Sequence, residues 1–249
     1  MKKIIAIGGG EIRRPGTKIE TQKIDEEIIK LSGKKNPKLL FVPTASFDSE
    51  EYYEVVKKYF GDKLGCQVNI LYLIENKLTK KEIENKILNS DIIYVGGGQT
   101  SKMMRVWKKM GVDKILLKAY EEGIVMSGLS AGAICWFSFG NSDSKKFDNP
   151  EANLIRVKGL GIIKALFCPH YDVEKERKAD LKKMMKRNSG VAIAIENCCA
   201  IEIIDNKYKI ISSKTSANAY RVYWKNNKFY EEILEKNEKL KPLKNLLKK

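Results

Sequence analysis

Residues 127 to 133 read Ser-Gly-Leu-Ser-Ala-Gly-Ala, directly after the apolar run Ile124-Val125-Met126. Within that stretch, Gly128-Leu129-Ser130-Ala131-Gly132 fits G-x-S-x-G, the nucleophile elbow, in which a serine on a strained strand-to-helix turn projects its hydroxyl from the end of a sheet. Such a serine needs a base, and the chain contains one histidine, His170, in Phe167-Cys168-Pro169-His170-Tyr171-Asp172. A neutral imidazole can accept the serine proton near pH 7 and return it to a leaving amine. A carboxylate is expected on the other ring nitrogen. Asp143, in Gly140-Asn141-Ser142-Asp143-Ser144, gives the chain order Ser, Asp, His, and Asp148 and Asp172 are its rivals.

The same turn supplies a donor for negative charge on a substrate oxygen. The first amides of a helix lack intrahelical partners, so the N–H of Ala131 is a candidate oxyanion donor. A second donor is expected from the loop Tyr94-Val95-Gly96-Gly97-Gly98-Gln99, where glycines let backbone amides turn toward a ligand without steric cost.

These residues must be positioned by a sheet. Short apolar runs at Lys3 to Ile7, Leu39 to Pro43, Gln67 to Leu73, Asp91 to Val95 and Ile124 to Ser127 alternate with helical patterns at Asp25 to Leu31, Glu50 to Phe60, Thr79 to Leu88 and Ser101 to Tyr120. The last helical pattern is broken at Gly111, and Thr79-x-x-Glu82 has the form of a capping box. The alternation predicts a doubly wound, mostly parallel sheet with helices on both faces, whose ligands bind beyond the carboxyl ends of the strands. Gly8-Gly9-Gly10, Gly96-Gly97-Gly98 and the Ser130 turn all fall at such ends, and the elbow is followed by a helix-compatible run, Ala133 to Phe137. Beyond it, a strand is predicted over Phe167 to Tyr171 and a helix over Glu174 to Arg187. A β-rich part then covers Val191 to Ile195, Ala200 to Ile204, Lys207 to Ile211 and Ala219 to Trp224, with a hairpin turn at Asp205-Asn206. With no repeat or low-complexity linker, residues 1–249 read as one domain.

The composition of the 249 residues is globular, with 43% hydrophobic and 31% charged residues. No apolar run is long enough to span a bilayer, and the N-terminal apolar stretch is too short for a signal peptide. Five cysteines without paired spacing form neither a disulfide framework nor a metal motif, which points to a reducing cytoplasm. The net charge of +16 raises a nucleic-acid reading, yet the lysines are dispersed among glutamates on helical faces, so solvated surface is the expectation and no nucleic-acid partner is expected.

Taken together, Gly-Leu-Ser130-Ala-Gly-Ala, the upstream Gly-Gly-Gly-Gln, Ser142-Asp143-Ser144, Gly159-Leu160-Gly161 and Pro169-His170-Tyr171-Asp172 resemble peptidase family S51, the dipeptidase E-like serine peptidases related to cyanophycinases. The resemblance runs from the first strand to the C-terminal strands. It implies a class I glutamine amidotransferase-like (flavodoxin-like) wound sheet with serine in place of that fold's cysteine. It also implies a triad of Ser130, His170 and Asp143, oxyanion amides at Gly97, Gly98 and Ala131, and no metal or organic cofactor. The implied activity is hydrolysis of small peptides through an acyl-enzyme. The chain departs from the W-S-A-G-A-N pattern of the aspartyl dipeptidases at Leu129 and Ile134, so a requirement for N-terminal aspartate does not carry over.

Other readings predict different behaviour. An α/β-hydrolase esterase shares G-x-S-x-G and the chain order, but forty residues between Ser130 and His170 leave little room for the strand and helix pairs expected there. A basic nucleic-acid-binding module would need a clustered aromatic and cationic platform. A non-catalytic relative would lack part of the triad. Sequence alone leaves a monomer and a homodimer equally open.

Overall fold

The computed structural model describes residues 1–74, 78–173 and 175–249. Its first sheet is built on five parallel strands, β1 (Lys3–Ile7), β2 (Lys38–Val42), β3 (Gln67–Ile70), β4 (Ile92–Val95) and β5 (Val125–Leu129), in the spatial order β1-β5-β4-β2-β3. The two faces follow from the period of two along each strand. Ile5, Ile7, Phe41 and Tyr94 pack on one side against Ile24 and Ile28 of α1 (Gln22–Ser32) and against Val56 of α2 (Glu50–Val56). Ile4, Ala6, Leu40 and Ile93 pack on the other against α3 (Lys80–Leu88), α4 (Thr100–Met110) and α5 (Val112–Glu121). Burial on both faces explains why these strands read as continuous apolar runs.

Several local expectations hold. Thr79 and Glu82 form the reciprocal capping box, and Gly111 separates α4 from α5 in the left-handed conformation (φ 74°). The helix expected over Glu50 to Phe60 runs further, passing from α2 into a π-helical segment, Lys57–Lys63.

After β5 the chain departs from expectation. The helix at the elbow, α6 (Ala131–Ile134), is a single turn, and Phe137 already opens strand β6 (Phe137–Ser142). This strand belongs to a second sheet, with β7 (Ile155–Lys158), β8 (Ile163–Cys168), β9 (Ala192–Ile195), β12 (Ala219–Lys225) and β13 (Lys228–Leu234), in the order β13-β12-β9-β8-β6-β7. The strand expected over Phe167 to Tyr171 starts earlier and stops at Cys168. Pro169 lacks an N–H to continue the ladder. The helix expected over Glu174 to Arg187 is α7 (Lys175–Arg187), Glu174 lying outside the described residues.

The chain returns to the first sheet through β10 (Cys199–Ile204), antiparallel to β1, followed by β11 (Lys207–Ser212), β14 (Lys241–Pro242) and the short α8 (Leu243–Leu247). The two sheets share one apolar cluster in which Phe137, Phe167, Ile193 and Ile195 of the second meet Ile4, Ala6, Ile201 and Ile203 of the first. Among the described residues no helix is long and apolar enough to cross a membrane.

One clustering is invisible in the sequence. On α7, Lys178 stands 5.4 Å from the Tyr220 ring, Lys182 stands 5.2 Å from Phe229 and Lys186 stands 5.4 Å from Trp224. Basic and aromatic residues therefore do meet, with the lysines four apart on one helical face and laid over rings of the β12–β13 hairpin.

Candidate active site

Ser130 immediately follows β5, with φ 55° and ψ −115°, a backbone region that side-chain-bearing residues sparsely occupy. Its N–H donates to Ile7 O (3.1 Å), tying the turn to β1, and its carbonyl accepts from Ala133 N and Ile134 N (both 3.0 Å) to open α6. The flanking glycines are required by space. A Cβ on Gly128 would sit 2.5 Å from Gly132 O, and one on Gly132 would sit 2.1 Å from Val95 O. The helical turn thus lies directly on the ends of β4 and β5, holding Ser130 beyond the sheet.

His170 comes from the second sheet, two residues past β8. It also takes a positive φ (51°), and its N–H donates to Gly8 O (3.1 Å) beyond the end of β1. Its Nε2 is 2.9 Å from Ser130 Oγ, and its Nδ1 is 2.7 Å from Oδ1 of Asn197. An amide oxygen only accepts, so this contact assigns the proton to Nδ1 and leaves the Nε2 lone pair for the serine hydroxyl. Gly9 makes room for the pair. A Cβ there would fall 2.1 Å from Asn197 Oδ1 and 2.4 Å from His170 Nδ1.

Asn197 lies on the link between β9 and β10, where the chain crosses from the second sheet back to the first. Its N–H donates to Asp172 Oδ1 (2.9 Å), and the N–H of Cys198 donates to Gly9 O (2.9 Å). The sequence offered a signal for it. Asn197 follows an apolar strand by two residues, as His170 does, so the strand-end rule that selected His170 applies equally to it.

The structure does not bring Asp143 to the imidazole. The run after α6 extends as β6 and carries Ser142-Asp143-Ser144 to the start of α4, where Ser144 Oγ accepts from Ser101 N (3.0 Å) and Gln99 Nε2 donates to Ser144 O (3.0 Å). The Asp143 carboxylate instead faces Arg177 of α7 at 3.8 Å. That arginine is buried and donates to the backbone carbonyl of Asn141 (2.8 Å). Asp148 lies 3.5 Å from Gln99 Nε2. Asp172 meets the site through the backbone N–H of Asn197, from which it accepts.

Of the expected oxyanion residues, Gly97 lies against Ser130, since a Cβ on it would be 3.5 Å from Ser130 Cβ, and Ala131 is the first residue of α6. Gly98 adopts φ 135° with its α-carbon close to Ala45, where a Cβ would lie 2.2 Å from Ala45 O. Beside Gly97, a Cβ on Gly96 would lie 2.9 Å from Cε1 of Tyr52, and burial pushes that phenol up to about 12. Ser130, His170, Asn197, Gly97 and Gly98 all open on one cavity of about 1020 Å³. Among the described residues no three histidine, cysteine or carboxylate side chains are grouped to hold a metal ion, and all five cysteines are buried with no disulfide among them.

The strand ends of the two sheets thus bring Ser130, His170 and Asn197 together at one cavity. Residues 4–211 match peptidase family S51, and the chain belongs to that family and is a peptidase. It is 36% identical over 225 residues to the uncharacterized peptidase YgaJ of Bacillus subtilis (strain 168), covering 89% of this chain and 92% of that protein. Among solved structures it is similar to a peptidase from an acI-B1 Actinobacterium, with TM-score 0.70 at 16% identity over 97% of this chain and 96% of the other. A second, from Listeria monocytogenes EGD-e and provisionally assigned as a peptidase E protein, has TM-score 0.61 at 22% identity over 85% of this chain and 98% of the other.

Proposed function

We propose that the chain is a serine-type peptidase of small peptides in which Ser130 is the nucleophile, His170 the base and then the acid, and Asn197 the residue that orients the imidazole. The observation that carries this reading is the continuous chain of contacts from Ser130 Oγ through His170 to Asn197 Oδ1, at 2.9 and 2.7 Å. As a peptide carbonyl enters, Ser130 Oγ attacks its carbon while the hydroxyl proton passes to His170 Nε2. The oxygen that becomes negative takes hydrogen bonds from backbone amides, for which Ala131 and the Gly97-Gly98 stretch are the candidates. Collapse breaks the C–N bond, the departing amine takes the proton from His170, and a water deprotonated by the same ring releases the acid.

Asn197 stands where the sequence predicts a carboxylate. An amide fixes the tautomer and the ring plane without adding negative charge, as in the Cys-His-Asn arrangement of papain-like peptidases. Asp143 then supports the site at a distance, through Arg177 and β6.

A cavity of about 1020 Å³ is the size of a short peptide's site, which supports an exopeptidase or dipeptidase. We also read the five parallel strands as the class I glutamine amidotransferase-like wound sheet and the whole chain as one domain, on the support of the apolar cluster shared by both sheets. The cytoplasm as its compartment is supported by five buried cysteines with no disulfide among them. The dispersed charge is read as solvated surface rather than a nucleic-acid footprint. Exposed pairs such as Lys118–Glu84 (2.8 Å) and Lys57–Glu54 (3.7 Å) support that reading.

The test is labelling with a fluorophosphonate, followed by intact mass and peptide mapping, beside turnover of a dipeptide library. Ser130→Ala is expected to abolish labelling and to lower kcat/KM by roughly a thousandfold or more. Unchanged hydrolysis, or a label on another residue, would remove Ser130 from the mechanism.

A further inference from the structure

The cavity carries features that the Ser130–His170–Asn197 relay does not use. Phe47 and Phe147 both line it, 45% and 49% exposed, with ring centroids 6.3 Å apart. They come from separate connections, one after β2 and one after β6. Phe47 holds its position in the left-handed region (φ 59°), which a bulky side chain seldom occupies, and Lys102 Nζ lies 4.0 Å from its ring centroid. Two large, half-exposed rings lining a reactive cavity form an apolar seat, one ring of which also carries the Lys102 ammonium.

The charge of the wall runs against that of the molecule. On a chain of net charge +16, the ionised residues lining this cavity are Glu11, Glu20 and Glu51 against Arg14. Arg14 Nε donates to Glu11 Oε2 (2.8 Å). Lys214 Nζ donates to Glu20 Oε1 (2.5 Å), a contact that holds this carboxyl below its ordinary range. Glu51, in the first turn of α2, forms no ion pair with any described residue. A carboxylate on a bound peptide would meet like charge here, whereas an ammonium or guanidinium would meet its complement.

Resting on the peptidase reading above, we propose that this cavity selects peptides that combine a cationic group near Glu51, Glu20 and Glu11 with an apolar or aromatic side chain seated on Phe47 and Phe147, and disfavours peptides that begin with aspartate. The cationic group is the side chain of lysine or arginine, added to the α-ammonium that every free peptide carries. The acidic wall supplies selectivity against anionic substrates, and the aromatic pair supplies apolar contact area.

The experiment compares kcat/KM for Lys-Phe, Leu-Phe, Asp-Phe and Lys-Gly with the parent enzyme, Glu51→Gln and Phe147→Ala. The parent is expected to favour Lys-Phe over Asp-Phe by about tenfold or more, equivalent to one favourable against one unfavourable charge contact. Glu51→Gln should shrink that ratio severalfold, and Phe147→Ala should penalise Lys-Phe more than Lys-Gly. Preferential cleavage of Asp-Phe, or ratios unmoved by both variants, overturns the proposal while leaving the peptidase reading standing. Calorimetric binding of Lys-Phe and Asp-Phe to the Ser130→Ala protein separates the two questions. Tighter binding of Lys-Phe supports the selectivity even where no dipeptide is turned over, and tighter binding of Asp-Phe, or binding of neither, overturns it.

Discussion

Ser130 and His170 both take a positive φ and are held there by opposite means. Each stands just past a parallel strand, one from each sheet. The Ser130 turn is cleared by its own flanking glycines, Gly128 and Gly132, which let α6 lie on β4 and β5. The His170 turn contains no glycine. Its space is made by Gly9, which belongs to another strand end and whose α-carbon lies beside the His170–Asn197 contact. One half of the relay is therefore a local device and the other depends on residues distant in sequence, so damage to the two should show in different measurements.

Alanine at the two glycines tests this most severely. Gly132→Ala drives a methyl into the Val95 carbonyl, backbone against backbone, and should cost about 3 kcal/mol or more of stability, read as a lowered denaturant midpoint. Gly9→Ala meets two side chains that can move, so its main effect should be on rate, a fall of about a hundredfold or more in kcat/KM with a much smaller change in midpoint. Equal stability losses with equal residual activity would erase the distinction.

Asn197 sharpens the comparison next. Asn197→Ala removes the acceptor from Nδ1 and should lower kcat about tenfold to a hundredfold with KM little changed. Asn197→Asp restores an acceptor and adds a negative charge, which favours the imidazolium. The acid limb of the pH–rate profile should move to higher pH, an effect that a purely structural role would not produce.

Away from the relay, Asp25 of α1 is buried on the side of the sheet that carries Tyr59, whose hydroxyl it accepts at 2.8 Å, and burial pushes its carboxyl up to about 7. The folded state then binds a proton that the unfolded state releases between its ordinary value and pH 7. Stability from this group is accordingly present at low pH, declines as pH rises through that window and is constant above it. Unfolding free energies from denaturant titrations between pH 4.5 and 8 should show a decline of roughly a few kcal/mol that Asp25→Asn flattens. The smallest effect is expected at Asp143, which touches Arg177 rather than His170. Asp143→Asn should change kcat/KM by no more than about threefold and stability by about 1 kcal/mol.

The same contrast explains what could be read from the chain. The Ser130 turn, the capping box at Thr79 and the break at Gly111 are local, their causes lie within a few residues, and the sequence displays them. The parallel strands were legible because burial on both faces writes them as apolar runs. The elbow helix was overestimated because Ala133 to Phe137 is equally apolar in a helix or a strand, and pairing with β8 decides for the strand from Phe137 onward. The strand β13 went unread, although Asn226-Asn227, both at positive φ, is a hairpin turn of the expected kind. Asn197 is hidden in the sequence for a different reason. A carboxylate is the residue type expected at Nδ1, and which side chain meets that nitrogen follows from the crossing from β9 to β10, a contact between residues twenty-seven apart.

That crossing gives the enzyme an internal gauge. Ser130 is carried by the first sheet, His170 by the second, and Asn197 by the link between them, so the 2.9 Å contact between hydroxyl and imidazole spans the seam where the two sheets meet. A slip of the sheets by about an ångström would break a hydrogen bond of that length while leaving each sheet's own ladder intact. Turnover should thus decline at denaturant concentrations below those that change the far-ultraviolet signal, making catalytic rate a more sensitive reporter of how the halves are seated than any measure of secondary structure.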